Sequence, residues 1–186
     1  MKKFIDRPLD IAALEQALLP QKRRNRRKVF ILHGLGGMGK TQLAVEFARR
    51  HYRRFSSVFW LDGRSEDTLK ESIATCAGRI PEGQIPESSR AYSSASSGDV
   101  NAAVRDVLGW LARPDNIDWL TVFDNIDRDS QGCMSDPYAY DVTRYFSGGD
   151  HGSILVTTRL TSLGQFGDSR QLEKLDKTQA QAMLES

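Results

Sequence analysis

Glycine, lysine and threonine are concentrated in residues 34–41, which read Gly-Leu-Gly-Gly-Met-Gly-Lys-Thr. The spacing of Gly34, Lys40 and Thr41 matches the phosphate-binding pattern G-x-x-x-x-G-K-[ST]. Glycines let backbone N–H groups surround a phosphate, because they adopt positive φ and carry no side chain that would block the approach. We therefore predict that this loop and the residue after it bind a nucleotide, through Gly34, Gly36, Gly37, Met38, Gly39, Lys40, Thr41 and Gln42.

The two residues that end this loop have distinct predicted roles. The Lys40 ammonium can contact the β- and γ-phosphates, and the Thr41 hydroxyl can bind Mg²⁺. A short apolar strand precedes the loop and an amphipathic helix is predicted over 42–50. The positive end of that helix therefore faces the phosphates. The alternative is a glycine-rich turn that binds nothing, and the flanking strand and helix make it the weaker interpretation.

Apolar runs alternate with amphipathic segments along the rest of the chain, which predicts a mostly parallel sheet with helices on both faces. We expect an α/β fold, the three-layer sandwich of P-loop NTPases, with five strands. Residues 1–28 are predicted to be a lead-in with a short helix and a basic loop, and 29–186 the nucleotide-binding domain. Residues 81–99, rich in Pro, Gly, Ser and Glu, are predicted to be a mobile loop. Besides the strand that begins at Val29, strands are predicted over 57–61, 119–123, 153–158 and, weakly, 171–175, and helices over 9–19, 42–50, 65–79, 101–111, 138–146 and 177–185.

Polar residues stand where two of the predicted strands end. Asp124 follows the third strand, where a carboxylate can hold Mg²⁺ opposite Thr41. Arg159 follows the fourth strand, where a guanidinium can contact a γ-phosphate. The alternatives are a turn cap for Asp124 and a surface salt bridge for Arg159. Because the carboxyl ends of parallel strands meet at one edge of a sheet, we predict catalytic roles for Lys40, Asp124 and Arg159.

The residue after Asp124 bears on the rate of any hydrolysis. Many P-loop ATPases have a glutamate there that activates the attacking water, whereas this chain has Asn125, which cannot accept a proton as a base. Asp127 is the nearest substitute and a candidate catalytic residue, with an ordinary loop carboxylate as the alternative. We therefore expect a weak ATPase at most.

Charge and composition limit the classes of partner. The formal net charge is +2, and six of the seven residues from 22 to 28 are basic, so the remainder of the chain is acidic. The basic cluster can be a nucleic-acid or nuclear-import patch, or a solvated loop; we favour the loop because no aromatic residues are interleaved to stack bases.

Two cysteines without close spacing fit a reducing cytosol, and no run of about 20 apolar residues is present. We predict a cytoplasmic protein with no membrane segment.

Several segments in order resemble the NB-ARC family, the nucleotide-binding part of NOD-like receptors among the signal-transducing ATPases, in particular its fungal members. The loop 34–44 is close to the family pattern G-x-G-G-x-G-K-T-x-L-A, and 58–62 (Val-Phe-Trp-Leu-Asp) matches its second-strand motif. Residues 119–127 resemble its Walker B segment, and 152–159 its sensor motif with the arginine at the end. Residues 4–7 resemble the lead-in that contacts adenine, although Asp6 stands where the family usually has Gly.

This resemblance implies a function and a set of partners. It implies an ATP- and ADP-binding switch that, with Mg²⁺, controls self-association in innate immunity, nonself recognition or programmed cell death. Ile5 and Arg7 would contact the adenine. Adenine is also favoured because 173–176 (Glu-Lys-Leu-Asp) lacks the Asn or Thr of the guanine-specific motif [NT]-K-x-D. Effector and sensor domains, and the helical and winged-helix domains of the family, would lie outside this chain, so we expect either an excised domain or a truncated product.

A second function remains open. A P-loop ATPase that acts on nucleic acid, such as a helicase loader or a recombination factor, would use the basic cluster 22–28. The acidic remainder of the chain, Asn125 and the family motifs favour the switch. We therefore do not expect a nucleic-acid partner.

Overall fold

The computed structural model describes residues 7–21, 26–94, 98–128 and 136–173. The five strands form one sheet in the order β2-β3-β4-β1-β5, and every neighbouring pair is parallel. The strands are β1 (Lys28–His33), β2 (Ser57–Asp62), β3 (Trp119–Asp124), β4 (Ser153–Thr158) and β5 (Asp168–Gln171). The α-helices are α1 (Pro8–Leu18), α2 (Lys40–His51), α3 (Glu66–Cys76), α4 (Glu87–Arg90) and α5 (Val100–Leu111).

Two hydrophobic cores lie on opposite faces of this sheet. The side chains of β3 alternate between them: Trp119 and Phe123 face α3 and α5, whereas Leu120 and Val122 face α1 and α2. All six residues of β3 are buried, because helices cover both faces of a parallel sheet. The predicted α/β three-layer P-loop sandwich is confirmed.

The lead-in packs into the same core as the nucleotide-binding domain. Leu14 and Leu18 of α1 are fully buried with the apolar residues of β1 and α2. Lys28, predicted to belong to the basic loop, is the first residue of β1 and pairs with Ser153 of β4. Burial of this first helix is therefore part of the fold of the sheet.

Two predicted elements differ from the structure. The helix predicted over 138–146 is only a 3-10 turn, Val142–Tyr145. Its apolar residues anchor a loop, since the Phe146 ring lies 5.3 Å from that of Phe123. The fifth strand was predicted over 171–175 but lies at Asp168–Gln171. It is an edge strand of polar, mostly exposed residues, so no apolar run marks it.

The predicted loop 81–99 carries secondary structure where it is described. It contains α4 and a 3-10 turn, Tyr92–Ser94. Ser89 is buried and its hydroxyl donates to Asp106 of α5 at 2.6 Å. The Arg90 guanidinium donates to the Ile80 carbonyl at 3.0 Å. These polar contacts, together with Ile85 and Tyr92, which pack against the core, hold the segment although its sequence shows no apolar period. The helix predicted over 177–185 lies outside the described residues.

We expect Gly167→Ala to destabilise the fold, because Gly167, the residue before β5, lies very close to Val29 of β1. A Cβ at residue 167 would lie 2.7 Å from the Cβ of Val29. Overpacking of this kind costs about 1–3 kcal/mol. Chemical denaturation should show this loss, and Gly148→Ala is the control because a Cβ there meets no atom within 4 Å. Equal stabilities of the two variants would contradict the packing of β5.

Candidate functional site

The loop between β1 and α2 has the backbone that phosphate binding requires. Gly34, Gly37 and Gly39 adopt positive φ of 142°, 77° and 84°. At Gly34 a side chain is also excluded by space, since a Cβ would lie 2.8 Å from the Leu172 carbonyl oxygen. Gly39 precedes the first residue of α2, so the N–H groups of the first helical turn have no partner within the helix. These N–H groups and the helix dipole favour an anion at this end.

The Lys40 side chain folds back over the same loop. Its ammonium donates to the carbonyl oxygens of Gly34 at 2.7 Å and Leu35 at 2.8 Å. Burial lowers the pKa of Lys40, with Arg159 lowering it and Asp127 and Asp124 raising it. The Lys40 ammonium is therefore held within the curve of the loop, near the carboxylates of Asp124 and Asp127.

Asp124 is the point where three elements meet. Its side chain is buried, and its Oδ1 atom accepts hydrogen bonds from the hydroxyls of Thr41 at 2.8 Å and Thr157 at 2.6 Å. The Asn125 side chain donates to its Oδ2 atom at 3.1 Å. The sheet thus brings the predicted metal pair, Thr41 and Asp124, into direct contact.

The residues of this pair fit Mg²⁺. Mg²⁺ prefers hard oxygen ligands and is usually held by one or two protein groups together with phosphates and water. The hydroxyl of Thr41 and the carboxylate of Asp124, 2.8 Å apart, are such ligands. Within the described ranges no group of three or more His, Cys, Asp or Glu residues forms a metal cage. The protein would therefore share the ion with a nucleotide.

Asn125 shapes the chain after β3. It is the described non-glycine residue with positive φ, at 63°, a conformation that Asn tolerates better than most residues. Its N–H donates to the Thr157 hydroxyl at 3.0 Å, and the next N–H, of Ile126, donates to the Thr157 carbonyl at 2.9 Å. The turn ties the end of β3 to the end of β4.

This turn places Asp127 against Arg159. The backbone N–H of Arg159 donates to Oδ1 of Asp127 at 2.7 Å, and the Nε atom of the Arg159 side chain lies 3.0 Å from Oδ2. The guanidinium lies over Gly36, where an added Cβ would be 3.3 Å from its Cζ atom. Asp127 thus holds Arg159 against the phosphate loop. Its role as a catalytic base stays a prediction.

The lead-in reaches the loop through Arg7. Its guanidinium donates to the carbonyl oxygens of Met38 at 3.4 Å and Glu173 at 3.2 Å. Ile5, the other predicted adenine contact, lies outside the described residues. Gln42 is exposed on the first turn of α2, with its Oε1 atom 3.6 Å from where a Cβ of Gly39 would stand.

Sequence reasoning missed Thr157. It is fully buried, yet its hydroxyl accepts from Asn125 and donates to Asp124. A threonine inside an apolar strand is ordinary β-strand composition. The one signal that could have identified it is its position two residues before Arg159, and this signal is useful only once β4 is known to lie next to β3.

The described part of the basic cluster, residues 26–28, lies at the amino end of β1, whereas the phosphate loop follows the carboxyl end of that strand. Two of its side chains contact the chain itself: Arg27 donates to the Ser147 carbonyl at 2.9 Å and Lys28 to the Leu19 carbonyl at 2.8 Å. Burial lowers the pKa of Lys28, against an opposing effect of Asp118. A groove of about 790 Å³ beside it is lined in part by Arg26 and Gln16.

Comparisons with known proteins bear on the fold. No protein-family profile and no curated protein sequence matches the chain. Cdc6p from Pyrobaculum aerophilum superposes with a TM-score of 0.63 at 13% identity, over 99% of this chain and 49% of that protein. The Orc1 protein of Aeropyrum pernix, solved in complex with DNA, superposes with a TM-score of 0.63 at 19% identity, over 100% of this chain and 50% of that protein.

The fold and the loop define the class: the chain has the P-loop NTPase fold. It spans about half the length of the two proteins that it resembles in structure. No described helix has the length and apolar character needed to cross a membrane.

We expect Arg159→Ala to weaken ATP binding by at least about 10-fold and to leave ADP binding nearly unchanged. Losing a charged hydrogen bond costs about 1.5–3 kcal/mol, and only ATP has the terminal phosphate that a guanidinium at this strand end would meet. Calorimetry with both nucleotides measures the difference. Arg113→Ala is the control, because Arg113 also pairs with an aspartate, Asp115 at 2.9 Å, away from the loop. Equal losses for ATP and ADP would show a purely structural role.

Proposed function

We propose that this chain is an adenine-nucleotide switch domain of the NB-ARC type, which binds ADP and ATP with Mg²⁺ and links the bound nucleotide to self-association. The observation that carries the proposal is the meeting of Lys40, the Thr41–Asp124 pair and Arg159 on one glycine loop. Innate immunity, nonself recognition or programmed cell death would be the setting, as the motif resemblance implies.

The charges around the loop support a polyphosphate ligand. Two cations, Lys40 and Arg159, flank the loop, and the amino end of α2 adds a positive dipole. The buried carboxylate of Asp124 accepts hydrogen bonds from hydroxyls, which suits an ion shared with phosphates. Arg159 would contact a γ-phosphate and so distinguish ATP from ADP, which is what a switch requires.

The groups near Asp124 support slow hydrolysis. The side-chain amide of Asn125 donates a hydrogen bond to Asp124, and it has no group that could accept a proton as a base. Asp127, the nearest other carboxylate on this turn, accepts from the Arg159 N–H and pairs with its Nε atom. Among the described residues of this turn no unpaired carboxylate is left to act as a general base, so hydrolysis would be slow, a property of switches more than of motors.

Lys40→Ala should reduce the affinity for ADP and ATP by at least about 100-fold, because it leaves phosphate charge unpaired. Calorimetry with Mg²⁺ present measures both affinities. Lys70→Ala removes the same charge from the surface of α3, where Lys70 lies 3.6 Å from Glu66, and should bind like the native chain. Unchanged affinity in Lys40→Ala would end the nucleotide-site proposal.

The native chain should hydrolyse ATP far below the roughly 10 s⁻¹ typical of enzymes. General-base assistance is worth about 10²–10⁴-fold, so Asn125→Glu should raise the single-turnover rate, offset by about 1 kcal/mol for a non-glycine residue at positive φ. Asn125→Gly keeps that backbone and removes the side chain, so it is the control. If Asp127 is the substitute base, Asp127→Ala lowers the residual rate. Fast turnover in the native chain would contradict the switch.

The alternative is an ATPase that acts on nucleic acid. One structural neighbour, the Orc1 protein, was solved in complex with DNA, and Arg26 of the basic cluster lines a groove. Against it, Arg27 and Lys28 are engaged with their own chain at the amino end of β1, away from the loop. A salt-sensitive affinity for DNA that disappears when residues 22–28 are neutralised would favour this alternative.

A further inference from the structure

An ion network connects the first helix, the last described strand and the phosphate loop. The Asp10 carboxylate of α1 accepts hydrogen bonds from two guanidiniums. Arg7 donates from Nη1 to Oδ2 at 3.4 Å, and Arg170 of β5 donates from Nε to Oδ1 at 2.5 Å. The Asp10 side chain is only 15% exposed and that of Arg7 only 10%. Each oxygen of the carboxylate is therefore taken by a different arginine.

Arg7 carries this network to the loop. Its second terminal nitrogen, Nη2, donates to the Met38 carbonyl, and the same nitrogen donates to the Glu173 carbonyl just after β5. Met38 lies between Gly37 and Gly39, both at positive φ. A guanidinium on this carbonyl fixes the orientation of the adjoining peptide group, and with it the N–H that follows.

Asp10 holds the two arginines together. Without the negative charge of Asp10, two guanidiniums would face one another in a partly buried space. Removing one partner of a buried ion pair is strongly destabilising, because it leaves the other charge uncompensated. Arg7 would then leave the Met38 carbonyl for solvent. Arg170 acts in the same direction from β5, since it fixes Asp10 at the carboxylate oxygen that Arg7 does not use.

We propose that Asp10 and Arg170 are positioning residues for nucleotide binding, acting through Arg7 on the Met38 peptide of the phosphate loop. The proposal rests on the proposed function for its binding readout. It implies that the state of the loop depends on how β5 and Glu173 are held, because Arg7 also donates to the Glu173 carbonyl.

A double-mutant cycle tests the connection. Asp10→Asn should weaken Mg²⁺–ADP binding by about 10-fold, in the range expected when a hydrogen bond to a charged group is lost. In an Arg7→Gln background the same change should have almost no further effect. Arg170→Gln should weaken binding in the same direction, and Arg170→Lys should restore part of it.

The matched control is Glu15→Gln, another carboxylate-to-amide change on α1. Glu15 pairs with His51 at 2.9 Å, away from the loop. It should leave ADP affinity unchanged even if it lowers the melting temperature. A merely structural Asp10 would lower the melting temperature and leave affinity at the value of this control, which would overturn the proposal. So would an equal loss of affinity in the Arg7→Gln background.

A second measurement separates this proposal from the proposed function. Amide hydrogen exchange at Leu43, whose N–H donates to the Gly39 carbonyl of the loop at 2.9 Å, should quicken without nucleotide in Asp10→Asn and Arg7→Gln and not in Glu15→Gln. If the native chain bound no nucleotide, the proposed function would fail while this exchange still reported the coupling. Unchanged exchange in Asp10→Asn would overturn the coupling whatever the chain binds.

Discussion

The hydrogen bonds to the Asp124 carboxylate hold the site together. Thr41 donates to it from α2 and Thr157 from β4, so one buried oxygen joins the phosphate loop to two strands. A buried carboxylate is costly unless it is satisfied, and here hydroxyls and the Asn125 amide satisfy it. The same oxygens can serve Mg²⁺, because the donors to them are neutral groups able to turn away. The ends of β3 and β4 and the start of α2 are thereby held next to one another.

The strand order explains why these groups meet. β4 lies between β3 and β1, so the end of β4 is next to both Asp124 and the glycine loop. Arg159 leaves β4 there, and the left-handed turn at Asn125 brings Asp127 under it. A residue that in other P-loop ATPases could be a base is replaced by one that shapes this turn. The turn thus holds Arg159 and contributes the Asn125 amide to the Asp124 carboxylate, and the proposed switch with slow hydrolysis rests on this arrangement.

Sequence reasoning predicted much of this and missed the rest for identifiable reasons. The glycine loop and the strands up to β4 were predictable because their signals are local: spacing, apolar runs and the strand-to-helix transition. The pairing of Thr41 with Asp124 followed from strand ends meeting at one edge. Thr157 and the contact of Asp127 with Arg159 were not predictable, because both depend on which strands are neighbours. β5 was misplaced since an edge strand needs no apolar run.

The dependence of ATP affinity on Mg²⁺ tests the account most directly, with Thr41→Val as the comparison. Valine keeps the shape of threonine and removes the hydroxyl that donates to Asp124. If the loop and the carboxylate share an ion with the nucleotide, Mg²⁺ should tighten ATP binding to the native chain, and most of this gain should disappear in Thr41→Val. ATP binding to the native chain that is equally tight with Mg²⁺ and with a chelator would contradict the site described here.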